Sequence, residues 1–491
     1  MACVRGIWVL LLFLSLVDCT RGWDQSALRV QLANEPVSLD PTFAEDGVSL
    51  QILYNTSEGL VGYDDHGVLK KRLAESYAIS SQGKRYEFIL KKEARWSDGR
   101  PVEVKDFITS FRRALEPTSI SKLAPLLYAI RGAKLFHSGK IPAHELGVKE
   151  ESGKLVIELE YPAPYFIQAL TLSTAFPVRQ DILEANRGSW PELAPSTGPY
   201  RLVSHQLDRK LELEANPYYY GLKPPISKVD LIVIGDESTG LNLFENGRLD
   251  ILTRVPSLDL ERLKKNYTIH SSPTTVTYFL AFNCRKPPFD DARWRRAFAG
   301  AIRRDEIAAA LNAELKPAWS WIPHGLEGFI PYEDPQTRFA AETVWLMKNT
   351  NSFKKPIEAG FDTGVRNSKI MEKVQYDIEK AFGIKLSLNH LDWKTYVKTL
   401  QTDPPALFRF GWMAPFMDPL THLKIFTRAD VNNYTGCFDV QYDRLISEIE
   451  RMKPGAQRRV KMSRRRKFYL SKRRWLFRSI IMCRIQVYRN G

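Results

Sequence analysis

His144-Glu145 is the nearest the chain comes to a metalloprotease signature, and the second histidine of an HExxH helix is missing. Other catalytic arrangements are absent too: there is no GxGxxG, no Walker-type glycine loop and no GxSxG. The eight histidines are scattered, so no metal site is expected, and isolated ones such as His205 and His390 read as satisfied surface or core residues. Five cysteines without a CxxC pair argue against a structural zinc and against a disulfide scaffold. Cys284 and Cys437 either pair in an oxidising compartment or stay free, because sequence does not give their separation. The expectation is a protein that is not an enzyme and carries no cofactor. What remains is the chemistry of binding: backbone groups offered by strand edges, and charged side chains that fix the ends of a ligand.

Certain elements must position that chemistry. Tyr86–Lys92 alternates apolar and polar residues, the period of a half-buried strand. Ser97-Asp98-Gly99 reads as a turn whose exit Pro101 fixes. Phe107, Ile108, Phe111, Ala114 and Leu115 then share one helical face, opposite Lys105, Asp106, Arg112 and Arg113, and Glu116-Pro117 stops the helix. Leu28–Ala33, Lys154–Glu160 and two runs within Arg201–Leu213 alternate as strands, while Val229–Ile234 is apolar enough for a buried parallel strand. Helices are expected over Ser49–Asn55, Leu241–Leu249, Arg293–Ala310, Ser368–Phe382, Trp393–Leu400 and Tyr442–Ile449, with Arg295, Arg296, Arg303 and Arg304 solvated. Thr275–Asn283, Lys385–Asn389 and Leu407–Trp412 are extended. Strand–helix–strand order implies α/β sheets with right-handed crossovers.

The wording of these segments is rarer than their physics. WSDGRPVEVKDF (Trp96–Phe107), preceded by Leu73–Leu90, resembles the signature of the family 5 extracellular solute-binding proteins, the oligopeptide and dipeptide receptors of ABC importers. Further motifs follow in that family's order: EPVSLDP (Glu35–Pro41), SEGLVGYDDHG (Ser57–Gly67), STGPYRL (Ser196–Leu202), EANPYYY (Glu214–Tyr220), FENGRLD (Phe244–Asp250), YFLAFNCRKPPFDD (Tyr278–Asp291) and FGWMAPFMDP (Phe410–Pro419). The resemblance runs from about Val30 to about Glu450. It implies an α/β, two-lobed periplasmic-binding-protein-like fold with mixed sheets and three structural domains. The corresponding division is a signal peptide at 1–19, lobe I at 20–57 and 179–272, an accessory domain at 58–178, lobe II at 273–450 and a tail at 451–491.

The resemblance also implies where a ligand is held. Glu45-Asp46-Gly47 and Gly411-Trp412-Met413-Ala414 match the segments that grip a peptide main chain by strand addition from opposite lobes, leaving loose hydrated pockets for side chains. Arg409 matches a position whose guanidinium meets a ligand carboxylate. One position departs: where the family's G-W-x-x-D pattern places an Asp on the ligand's α-amino group, this chain has Pro415, and Asp418 belongs to the structural D-P step beyond it. An ammonium brought there loses a charge-assisted bond worth about 1.5–3 kcal/mol. A peptide with a free amino terminus is therefore expected to bind weakly, in favour of a ligand lacking that amine, such as a muropeptide.

Arg5 and the apolar run Ile7–Val17 read as a signal peptide, too short to span a bilayer. Cys19 stands where a lipoprotein is cleaved and acylated, although Asp18 departs from the small residue expected there; acylation and ordinary cleavage both fit. The expected location is the periplasm or cell surface, with the permease of an ABC importer as partner, a membrane contact through the lipid and a monomeric state. An adhesin or cell-wall sensor on the same scaffold is the alternative. The net charge of +15 does not imply nucleic acid, because 15 Lys and Arg without one Asp or Glu lie from Arg451 onward, leaving 56 basic against 56 acidic residues before it. Arg458–Arg478 interleaves cations with aromatics, the composition of an RNA- or anionic-lipid-binding arm. Glutamate codons read one base out of phase become Arg and Lys codons, so the expectation is a tail read out of frame and truncated.

Overall fold

A computed structural model of the chain describes residues 27–488, apart from 257–258, 312–315, 318–320, 324–325, 327–328, 330–338, 351–354, 417, 454 and 468–475. The segment expected to be a signal peptide, with Cys19, lies outside the described residues. The chain opens with β1 (Leu28–Leu32) and α1 (Gly47–Thr56). A separate unit follows. It holds a short hairpin, β2 (Val61–Tyr63) and β3 (Leu69–Lys71), then β4 (Ala74–Ser80), β5 (Arg85–Leu90), helix α2 (Val104–Leu115), β6 (Val148–Glu151) and β7 (Lys154–Glu158). The last four strands form an antiparallel sheet in the order β4-β5-β7-β6, and α2 buries Phe107, Phe111, Ala114 and Leu115. β8 (Tyr200–Gln206), β9 (Lys210–Ala215), β10 (Lys228–Val233), α3 (Glu237–Glu245) and β11 (Ile251–Leu252) return to the first lobe. β10 is parallel to β1 and antiparallel to β9, so the expected buried parallel strand is there.

β12 (Thr268–Phe282) carries the chain into the second lobe. There follow α4 (Ala292–Ala301), β13 (Lys316–Pro317), β14 (Ile357–Asp362), α5 (Val365–Phe382), β15 (Leu386–Leu391), α6 (Trp393–Thr402), β16 (Leu407–Met413) and α7 (Val440–Glu450). α8 (Ala456–Lys467) and β17 (Leu476–Tyr488) come last. One sheet runs through both lobes in the order β15-β14-β16-β12-β17-β11-β1-β10-β9-β8. β12 and β17 lie antiparallel along each other, from Thr268 opposite Tyr488 to Ala281 opposite Leu476, so two strands join the lobes. Two joining strands and no slack tether allow hinge motion while keeping the faces in register. Among the described residues no helix is long and apolar enough to cross a membrane.

Several local expectations change. Arg293–Ala310 is two helices, Ala292–Ala301 and Arg304–Ala310, because Ile302 takes an extended ψ of 126°. Arg295 and Arg304 are buried rather than solvated; Arg295 turns inward to donate to the Asp290 carbonyl at 3.2 Å. On α2, Asp106 and Arg113 also face inward. Asp106 accepts the Glu103 N–H at 3.0 Å and the Trp96 indole N–H at 3.1 Å, and Arg113 grips Asp40 with bonds of 2.6 and 2.7 Å. The loop after β1 covers that face, a tertiary contact that helical periodicity alone does not encode. Cys284 and Cys437 form a disulfide between the end of β12 and the loop before α7, with Cα atoms 5.3 Å apart. Residues read as a basic tail are built into the fold. Arg458 of α8 makes a bidentate pair with Asp418 at 2.8 and 2.9 Å, both side chains at most 2% exposed, and β17 pairs with β12 and β11.

Candidate functional site

β16 carries most of the residues singled out for ligand contact. Its alternating LFRFGWM sequence suits a half-buried strand, and it pairs antiparallel with β12 along its whole length, Leu407 opposite Phe282 and Met413 opposite Val276. The other edge differs. β14 pairs with it in parallel only at Leu407 and Phe408, and the Arg409 carbonyl is taken by the Tyr396 hydroxyl at 2.6 Å. From Phe410 to Met413 the β14-side edge has no strand partner among the described residues. At Gly411 the sheet face is open as well, since a Cβ there would meet nothing nearer than the Arg409 guanidinium at 3.9 Å. Trp412 is fixed by its indole N–H donating to the Thr421 carbonyl at 3.1 Å, and Met413 is 49% exposed.

Arg409 sits at the start of this open edge, where its guanidinium meets Asp362 at 2.5 Å and lies 4.6 Å over the Tyr278 ring. Burial pushes the Tyr278 phenol up to about 12, so the ring stays neutral under the cation. Arg366, in the first turn of α5, and Arg254 of the first lobe lie within electrostatic reach of one another, and Arg366 also of Arg409. The cation expected to meet a carboxylate thus has an anion already, and Arg366 in its reach is coupled to Glu237 as well as to Arg254.

Glu45-Asp46-Gly47 is built otherwise. These residues form no strand: Gly47 is the first residue of α1, and Asp46 caps it, its Oδ1 accepting from Val48 and Ser49 N–H at 3.0 and 2.9 Å. Glu45 pairs with exposed Lys122. The loop leading to them is held by Arg113 on Asp40 and by His205, which bonds Glu35 on one ring nitrogen and Glu192 at 2.7 Å on the other. Burial alone would lower the His205 pKa, but the two carboxylates raise it. Sequence gave His205 no role beyond a satisfied residue, and these partners satisfy it. Among the described residues no hydrogen bond or ion pair joins Glu45–Gly47 to β16.

The two lobes do meet beyond the end of β16. Ala414, Pro415 and Phe416 line a cavity of about 480 Å³ together with first-lobe and accessory residues that include Tyr54, Glu58, Tyr63, Arg72 and Tyr219. Glu58 accepts hydrogen bonds from the hydroxyls of Tyr219 at 2.9 Å and Tyr220 at 2.5 Å, with Arg72 at 3.8 Å. Glu58 and both tyrosines stand in motifs that assign them no contacts; no periodicity links positions some 160 residues apart. Phe416 stacks on Tyr165 of the accessory unit, ring centroids 6.0 Å apart and planes 7° from parallel.

Two α/β lobes joined by two strands, with a half-paired strand edge facing outward from one of them, define a binding protein whose ligand lies between lobes. The model for bacterial extracellular solute-binding proteins, family 5 middle, matches residues 68–434, and the chain belongs to that family. It is 28% identical over 450 residues to the oligopeptide-binding protein OppA of Bacillus subtilis, covering 87% of this chain and 82% of that one. To the periplasmic murein peptide-binding protein MppA of Escherichia coli it is 27% identical over 434 residues, covering 85% and 80%. The crystal structure of Haemophilus influenzae OppA in complex with RPPGFSPFR superposes with a TM-score of 0.81 at 23% identity, covering 95% of each chain. The structure of Escherichia coli MppA gives 0.82 at 24%, covering 94% of each. These likenesses establish the two-lobed fold.

Proposed function

We propose that this protein is an extracytoplasmic receptor that closes its two lobes over an extended oligopeptide and delivers it to the permease of an ABC importer. The carrying observation is the edge of β16 from Phe410 to Met413, whose backbone groups are unmatched by any described strand on the β14 side. A peptide main chain is the ligand that completes such an edge whatever its side chains. Gly411, Trp412, Met413 and Ala414 supply that strand-addition surface, and Arg409, with Arg366 in reach, draws the carboxylate end. Glu45, Asp46 and Gly47 contribute from the first lobe as a fixed helix entrance. The names of the relatives agree, one an oligopeptide-binding protein and another a murein peptide-binding protein.

Closure needs no catalysis, because ligand simply favours the closed arrangement. Residues 1–19 act as the export signal, Cys19 is the site of lipid attachment if the leader is processed there, and the mature protein works as a monomer in the periplasm or at the cell surface. The disulfide fits an oxidising compartment. Native mass spectrometry of the purified protein, followed by small-angle scattering with and without the peptides it identifies, tests the reading. A co-purifying peptide and a smaller radius of gyration on adding it are expected. A ligand-free protein that neither binds peptides nor contracts points to a surface interaction role instead.

A further inference from the structure

The cavity beyond β16 differs in character from the edge that leads into it. Its walls are largely apolar or aromatic, with Tyr54, Val61, Phe176, Pro199, Pro415 and Phe416 among them. Among the described residues lining it, only Glu58 and Arg72 are charged, and they lie 3.8 Å apart. The Glu58 carboxylate is further occupied by two tyrosine hydroxyls, at 2.9 and 2.5 Å. Its side chain is only 9% exposed. No lining carboxylate is therefore left to receive a cation, and an ammonium moved here would lose its water shell for a pair already neutralised. An uncharged group faces no such penalty, and its apolar surface gains about three- to fourfold in affinity per buried methylene.

Direction follows from charge. Arg409 stands at one end of the open edge, paired with Asp362, and Arg366 in its reach is coupled in turn to Glu237 and Arg254; three cations against two anions leave that end positive, so a ligand strand on β16 puts its carboxylate end there. Its amino end then runs past Met413 toward Ala414 and Pro415. We propose that the cavity receives an uncharged apolar group carried on the amino end of the ligand, an acyl cap rather than a free ammonium. The inference rests on the peptide-receptor reading and goes beyond it by naming the chemistry of the ligand's leading end.

Titration calorimetry with one peptide sequence in three forms (free amine, N-acetyl, N-hexanoyl) provides the test, using the mature protein and two variants, Pro415→Asp and Tyr54→Ala. In the unaltered protein the hexanoyl form should bind at least tenfold tighter than the acetyl form, and the acetyl form tighter than the free amine. Pro415→Asp should reverse the order of acetyl and free amine. Tyr54→Ala, which removes one wall of the cavity, should weaken the hexanoyl form more than the acetyl form and so erase most of the hexanoyl advantage. Equal binding of all three forms, or tightest binding by the free amine, overturns the proposal and leaves the receptor reading standing. If none of the three binds to protein shown folded by circular dichroism, the receptor reading itself falls, and the cap with it.

Discussion

The two segments that sequence marks for gripping a ligand are opposites in construction. In the first lobe Glu45–Gly47 is the entrance to a helix, pinned by the Asp46 cap, by Arg113 on Asp40 and by His205 between two glutamates. In the second lobe Gly411–Met413 is strand, paired on one side and open on the other. One jaw has spent its hydrogen bonds internally, and the other keeps them for a partner. The difference is the basis of the proposed division of labour, in which the second lobe recognises the main chain and the first supplies a rigid wall against which it closes.

That contrast can be strained from either side. The second lobe holds the buried Asp418–Arg458 pair, which ties α8 to the segment after β16. Arg458→Met leaves a buried carboxylate without its partner and should destabilise the second lobe by about 3–5 kcal/mol, read from urea denaturation. A loss below about 1 kcal/mol would show that the pair contributes little to the second lobe. Replacing Cys284 and Cys437 together by Ala should cost about 2–5 kcal/mol and lower the melting temperature of the second lobe. A melting curve unchanged by reductant would remove the disulfide from that role.

The first-lobe jaw should respond more gently. Asp46→Ala removes the cap of α1 and should cost about 1 kcal/mol, with peptide affinity changed mainly through loosening of the helix entrance; Asp46→Asn should restore most of the stability. The smallest effect is one of pH. Because Glu192 and Glu35 raise the folded His205 pKa above its ordinary 6.5, the clamp's contribution is fully present below pH 6.5 and is lost as pH rises through the higher folded value. Amide exchange over residues 33–46 should therefore speed up with pH beyond the intrinsic base dependence, and His205→Gln should flatten that excess.

Much of the scaffold is legible in the sequence because its signals are local. The period-2 runs at Leu28, Tyr86 and Leu407 and the helical stripe from Ile370 to Phe382 each report a face that must be buried. What stays hidden is set by residues far apart in the chain. Arg113 reads as a solvated cation until the loop bearing Asp40 folds over it. Arg458 reads as one charge in a basic block until Asp418 buries it. Cys284 and Cys437 are 153 positions apart, and nothing local ties them together. The candidate site divides the same way: β16 was visible as a strand, but that β14 stops pairing at Phe408 is a property of the sheet. The Glu58–Tyr219–Tyr220 cluster was present only as words in separate motifs.

Hydrogen exchange along β16, compared with and without a saturating co-purified peptide, addresses the central claim most directly. The account predicts that amides between Phe410 and Met413 gain protection on binding, while Leu407 and Phe408, already paired on both sides, do not change. Saturation with ligand that leaves Phe410–Met413 exchanging at the free-protein rate would contradict it.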